Sequence, residues 1–283
     1  ISLYIIIHNG NLASTHSSIL FIMKKFIQNK FIAKVFTFLY LTTFTYPVSP
    51  VAADQINAAV ATNFYNPFMN IVKQFEIYSG HEVNIISGST GKLYAQIMNG
   101  APFDIFLSAD SLRPKFLIQN GKAISGTQFT YAFGKIILWS PDSNLILNNL
   151  ELTFLKQTFS HLAIANPITA PYGKAAYQVL KKIGQWDKLK SVIVRGENIG
   201  QTYHFIFSQN AELGFVSLSQ VLDPQQKTKG KYLDIPIEYY DPIKQDVVVL
   251  SKGEKNSGAL DLWQFLKSPQ AKRIIKEYGY GLQ

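Results

Sequence analysis

"SGSTGKLYAQIMNGAPFDIFLSAD" (residues 87–110) sets a turn rich in glycine and hydroxyls ahead of an amphipathic run and then a short apolar one. The spacing predicts a helix over "LYAQIMNG" and a buried strand in "FDIFLSAD". Upstream, "INAAVAT" (56–62) reads as a buried strand, "NPFMNIVKQFEIYSG" (66–80) as a helix closed by Gly80, and "HEVNIISG" (81–88) as the next strand. Downstream, "RPKFLIQNG" is another helix, ending at Gly121. Strand, helix, strand, helix, strand is the doubly wound pattern of a parallel α/β sheet.

A second series starts at "GKIILWSP" (134–141) and runs through "HLAIANP" (161–167), the helix "GKAAYQVLKKIG" (173–184) and "KSVIVRG" (190–196). A helix around "GQTYHFIFSQN" (200–210) and the strand "LGFVSLS" (213–219) follow. "DPQQKTKGK" (223–231) reads as a solvated loop, "EYYDPIKQDVVVLSK" (238–252) as a returning strand, and "GALDLWQFLKSPQAKRIIKEYGY" (258–280) as one long amphipathic closing helix. No internal repeat recurs at a fixed period.

The first 53 residues read as something other than fold. Residues 1–22 precede Met23, taken as the natural start. Lys24 and Lys25 then supply a basic region, Phe36 to Thr45 a short apolar core, and Val51-Ala52-Ala53 a small-residue cleavage site. The expectation is a signal peptide over 23–53 and a mature chain from about Asp54, in the periplasm. The apolar core is short of the roughly 18 residues that a membrane span needs. With no cysteine in the chain, neither a disulfide framework nor a lipid-anchored thiol is available.

The formal charge of +9 falls to +5 without the four lysines of the leader, leaving 23 basic against 18 acidic residues. No arginine-rich stripe with interleaved aromatics is present, so nucleic-acid binding is not expected. Enzymatic readings find little support. His81, His161 and His204 stand apart, Ser87, Ser89 and Ser108 lack a nucleophile elbow, and no residues show metal-ligand spacing.

In open α/β sheets, ligands bind where strands hand over to helices. Four such junctions here share a composition: "ATNF" (61–64), "SGSTGK" (87–92), "ANPITAPYG" (165–173) and "GENIGQ" (196–201). Each offers small or hydroxyl-bearing residues and free backbone amides at a helix start, which favour an anion. Taken singly, Asn63, Thr90 and Asn198 are equally explained as helix caps. A nucleotide P-loop is ruled out at the glycine turn, because Ile86 occupies the place of its first glycine and Leu93 that of its Ser or Thr.

"AVATNF", "SGSTGKLYAQIMNGAPFDIFLSAD", "ANPITAPYG" and "LGFVSLSQ", in that order, resemble the periplasmic molybdate-binding proteins, the substrate-binding components of molybdate ABC transporters. The resemblance covers roughly residues 54–283. It implies a two-lobed type II periplasmic-binding-protein fold, each lobe a mixed, mainly parallel sheet flanked by helices. Lobe I would take 54–132 and 245–283 and lobe II 133–244, with hinge crossovers near "YAFGK" and "YYDPIKQD". It also implies a monomer without cofactor or enzymatic activity, which passes molybdate, and tungstate with it, to a membrane permease. Sulfate, or a sensor role without transport, is the alternative.

Carried over residue by residue, the resemblance assigns the oxyanion to Thr62 and Asn63 at the first junction and to Ser89 and Thr90 in the glycine turn. Tyr172 and Ile199 would serve from the second lobe through their backbone amides. Some members use a tyrosine after the "LGFV"-like strand; this chain has Ser217, a weaker candidate. Many members carry an Ala-Ser pair and a serine-rich turn where this chain has "TN" and "GSTG", with equivalent donors. A dianion without an ionisable proton needs only donors, so Lys92 reads as a solvated side chain and Glu197 and Asp110 as surface or capping groups. On this reading Asn63→Ala and Thr90→Ala each weaken anion binding by about 1–3 kcal/mol without harm to the fold.

Overall fold

Alternation of apolar runs of two periods builds the molecule seen in a computed structural model, which describes residues 53–145, 149–156, 159–226 and 228–282. The expected leader (residues 1–22 and 23–53) therefore lies almost wholly outside the described residues. Residues 53–283 fold as one unit.

Strand β1 (Gln55–Ala61) is buried along nearly its whole length, as "INAAVA" predicts for a central strand. A 3-10 turn (Thr62–Phe64) leads directly into helix α1 (Tyr65–Ser79), which buries Phe68, Ile71, Val72 and Phe75 at helical spacing. Strand β2 (Glu82–Gly88), α2 (Thr90–Met98), β3 (Ile105–Leu107) and α3 (Leu112–Gln119) complete the first series. β4 (Phe129–Gly134) follows, and a single residue, Lys135, separates it from β5 (Ile136–Ser140).

The second series runs through α4 (Leu150–Lys156), β6 (Leu162–Ala165), α5 (Pro171–Lys182), α6 (Trp186–Leu189), β7 (Ile193–Gly196) and α7 (Ile199–Phe207). Then come β8 (Leu213–Ser217), the short α8 (Leu218–Val221), β9 (Lys231–Asp234), β10 (Ile243–Val249), α9 (Ser257–Phe265) and α10 (Pro269–Glu277).

Two five-stranded sheets result, ordered β2-β1-β3-β10-β4 and β7-β6-β8-β5-β9. In the first, β10 alone runs against its neighbours; in the second, β5 does. Each sheet is thus mixed but mainly parallel, and each carries its own hydrophobic core. Both sheets place their antiparallel strand fourth, although it comes last in chain order in the first sheet and first in the second. The lobe on the first sheet is called lobe I below, and that on the second, lobe II. The chain passes between them at Lys135 and again over residues 235–242.

Three elements differ from the sequence reading. The closing helix is two, because Pro269 has no N–H to continue the ladder and Ser268 caps the new start, its Oγ accepting the Ala271 N–H at 3.1 Å. The returning strand is confined to Ile243–Val249, with a 3-10 turn (Ile237–Tyr239) and Pro242 ahead of it. "FTYAFG", whose second half was read as crossover, is an edge strand of the first sheet. The loop 223–231 is solvated over most of its length, but Asp223 at its start is buried and accepts the Asn66 Nδ2–H at 2.6 Å.

Candidate functional site

Parallel pairing places the site. β1 and β2 run in register to Ala61↔Gly88, so the residues that follow each strand, Thr62 and Ser89, emerge side by side at one sheet edge. β6 and β7 do the same in lobe II, with Ala165↔Gly196, and the turns beyond them carry Tyr172 and Ile199. Thr62, Asn63, Ser89, Thr90, Tyr172 and Ile199 all line one pocket between the lobes, with Ala61, Gly88, Ala109, Ala170, Pro171 and Asn198. The pocket measures about 10 Å³, on the order of what one water molecule needs. Recesses of about 180 and 680 Å³ flank it. Size does not single out the small pocket; its donors do.

Thr62 Oγ1 and Ser89 Oγ are buried and have no hydrogen-bond partner. A buried hydroxyl left so costs about 1–3 kcal/mol. Ser89 stands at the N-cap of α2, where a serine ordinarily caps, yet its side chain caps nothing. Thr90 Oγ1 accepts the Ala109 N–H at 3.1 Å and keeps its own hydrogen to give. From lobe II, Tyr172 and Ile199 occupy the first turns of α5 and α7, whose N–H groups have no intrahelical partner. Both helix dipoles put partial positive charge at these ends.

Asn63 departs from expectation. Its Nδ2 donates to Gln245 Oε1 at 2.8 Å and to Tyr280 at 3.0 Å, so both side-chain hydrogens point away from the pocket. Only its backbone amide, in the turn before α1, is left to serve an anion. Tyr172 likewise turns its phenol away, to accept the Gln245 Nε2–H at 3.2 Å. Ser217 does not line the pocket; its hydroxyl is taken up by Ser219 and Gln220, capping α8.

No Asp, Glu, Lys, Arg or His side chain lines the pocket. Tyr172 is its one ionisable group, and burial pushes that phenol well above the usual tyrosine range, as it does for Tyr131 below. Asp110, two residues ahead of α3, accepts the Arg113 N–H at 3.0 Å and pairs with its guanidinium. Lys92 and Glu197, both exposed, pair with each other across the lobes. His204 is exposed; His81 is buried and accepts the Asp54 N–H at 3.0 Å. Among the described residues, no cluster could hold a metal ion, and no helix is long and apolar enough to cross a membrane.

The lobes are shut over the pocket. Gly91 N–H donates to Thr169 O at 2.8 Å, Arg113 reaches Ile168 O at 3.1 Å, and Ser219 Oγ donates to Asn63 O at 3.1 Å. A Cβ on Gly91 would come within 2.9 Å of Thr169 O, and one on Gly200 within 2.5 Å of Thr62 Cγ2. Sequence reasoning missed these two glycines and the Gln245, Tyr280 and Tyr131 cluster beneath the site. Asn63 and Gln245 lie 182 positions apart, a pairing without local signal.

The family described as bacterial extracellular solute-binding protein matches residues 56–281. The molybdate-binding protein ModA of Azotobacter vinelandii is 46% identical over 231 residues, 82% of this chain and 91% of the relative. The ModA of Rhodobacter capsulatus is 43% identical, over 82% and 90%. Among solved structures, the periplasmic molybdate-binding protein of Azotobacter vinelandii superposes with a TM-score of 0.77 at 39% identity, covering 81% of this chain and 99% of that one.

Proposed function

Since the chain belongs to the bacterial extracellular solute-binding proteins, we propose that it is the molybdate receptor of an ABC transporter and takes tungstate as well. The buried, unpartnered hydroxyls of Thr62 and Ser89, converging on one pocket with the amide ends of two lobe II helices, carry this reading. An anion there satisfies both hydroxyls at once.

The anion first meets lobe I, at Thr62, the Asn63 amide, Ser89 and Thr90. Rotation about the crossovers at Lys135 and 235–242 then brings the Tyr172 and Ile199 amides onto its far side. The ligand shifts the population toward the shut form in proportion to what lobe II adds. Hydrogen phosphate is disfavoured because the pocket lining has no carboxylate to accept its proton. The loaded monomer works in the periplasm and docks on a membrane permease, which receives the anion unchanged; no bond of the ligand is made or broken.

The test is calorimetric titration of residues 54–283 with molybdate, tungstate, sulfate and phosphate. Tight one-to-one binding of the first two, with sulfate and phosphate far weaker, is expected. Silence with all four sinks the oxyanion reading.

A further inference from the structure

Beneath the pocket lies a buried polar cluster, Gln245, Tyr131 and Tyr280, that does not itself line it. Gln245, fully buried on β10, is its centre. Its Oε1 accepts from Asn63 Nδ2 at 2.8 Å and from the Tyr131 hydroxyl at 3.1 Å, and its Nε2 donates to the Tyr172 hydroxyl at 3.2 Å. One carboxamide thus holds a pocket residue from each lobe by the side chain, and in both residues the backbone amide is what remains to face the pocket. Gln245 itself does not line it. The fit is tight, since a Cβ on Gly134 would stand 2.2 Å from the Tyr172 hydroxyl and 2.6 Å from Gln245 Nε2.

We infer that Gln245 is a positioning residue for the anion site, setting the Asn63 amide of lobe I and the Tyr172 amide of lobe II against each other when the lobes shut. This rests on the oxyanion reading above. A glutamine suits the task because it accepts and donates at once; its acceptor serves lobe I and its donor lobe II. The Tyr172 phenol stays protonated, so the link does not switch with pH in the neutral range. Retention of a bound anion, more than its capture, depends on this link, because three of the four lobe I donors that meet the anion first, Thr62, Ser89 and Thr90, are not held by Gln245, whereas the shut form needs both amides that it sets.

The experiment is a double-mutant cycle on residues 54–283, reading molybdate association and dissociation by stopped flow well below the unfolding temperature. Gln245→Leu speeds dissociation by about tenfold or more while association stays near wild type. Tyr172→Phe speeds it less, and adds nothing in the Gln245→Leu background. A general loosening of the fold gives effects that add, and additive effects overturn the inference, as does wild-type dissociation from Gln245→Leu. Should Gln245→Leu not fold, Gln245→Met enters the same cycle with the same expectations. A wild-type chain that binds no molybdate sinks the receptor reading, and the inference falls with it; a wild type that binds with an additive cycle sinks the inference alone.

Discussion

The two halves of the pocket are built on matching parallel strand pairs, β1 with β2 and β6 with β7, and offer different chemistry. Lobe I presents side-chain hydroxyls, two of them buried without partners. Lobe II presents backbone amides at the starts of α5 and α7; Tyr172 is turned to Gln245, Asn198 gives its Oδ1 to the Gln201 N–H at 2.9 Å, and the buried, unpartnered Thr169 Oγ1 stands outside the pocket lining. Substitution can therefore strip hydroxyl donors from lobe I, whereas the backbone amides of lobe II answer to changes in helix position. Hydroxyl donors can rotate to meet an anion as it arrives, and fixed amides complete the shell once the lobes are shut.

The sharpest break of this comparison is removal of the free hydroxyls. Thr62→Ala and Ser89→Ala each lose a hydrogen bond to a charged group, about 2–3 kcal/mol of molybdate affinity. Thermal stability without ligand stays level or rises, since neither hydroxyl has a partner to lose. Calorimetric affinity beside a melting curve checks both, and a fall in stability would mean that the hydroxyls serve the fold. Asn63→Ala behaves the other way. It leaves Gln245 and Tyr280 short of a partner, so stability falls along with affinity, contrary to the expectation drawn from sequence.

The floor shared by both lobes responds to alkali. Burial pushes the Tyr280 phenol up to about 12. With the folded value raised, the contribution is complete below the unfolded value near 10 and is lost as pH rises through about 12. It is worth about 3 kcal/mol on that shift. Denaturant midpoints for wild type therefore fall across this window, and Tyr280→Phe flattens the fall; equal slopes would dismiss the phenol as its cause.

Much of this was legible beforehand, for a physical reason. The strand–helix junctions announce themselves locally, by small residues and hydroxyls between an apolar run and an amphipathic one, so Thr62, Ser89, Thr90, Tyr172 and Ile199 could be placed at strand ends. Which atom of each faces the pocket could not. Asn63 has an amide at either end, and the choice between them is made by Gln245 and Tyr280, partners 182 and 217 positions away. The edge strand 129–134 was hidden because β10, its antiparallel neighbour, arrives only after the whole of lobe II. The split of the last helix was visible in Ser268-Pro269 and was overridden by the continuous apolar stripe on either side.

Closure itself can be resisted at the glycines. Gly91→Ala presses a methyl on the backbone of Thr169, which has little room to move, and costs about 1–2 kcal/mol of affinity. Gly200→Ala presses instead on the Thr62 methyl and additionally disturbs a hydroxyl of lobe I. Dissociation rates separate the two, because Gly91→Ala leaves every lobe I donor intact and hastens release with capture unchanged. Equal slowing of capture in both would place the glycines' role in the open form.

The smallest effect is expected at the rim, where Lys92 and Glu197 bridge the lobes in solvent. An exposed pair of this kind contributes about 0.2–1 kcal/mol and fades with salt. Lys92→Ala should therefore lower molybdate affinity slightly at low ionic strength and not at all at high. Lys92 is nevertheless the cation of the glycine turn, and a role as counter-ion to the dianion would show as a loss of several kcal/mol that persists in salt. Glu197→Ala distinguishes the two further: as the latch partner it loses the same small amount, while a free Lys92 left beside the pocket would raise affinity. A small, salt-sensitive and matching loss in both variants keeps the binding charge-free, with lobe I giving hydroxyls and lobe II amides.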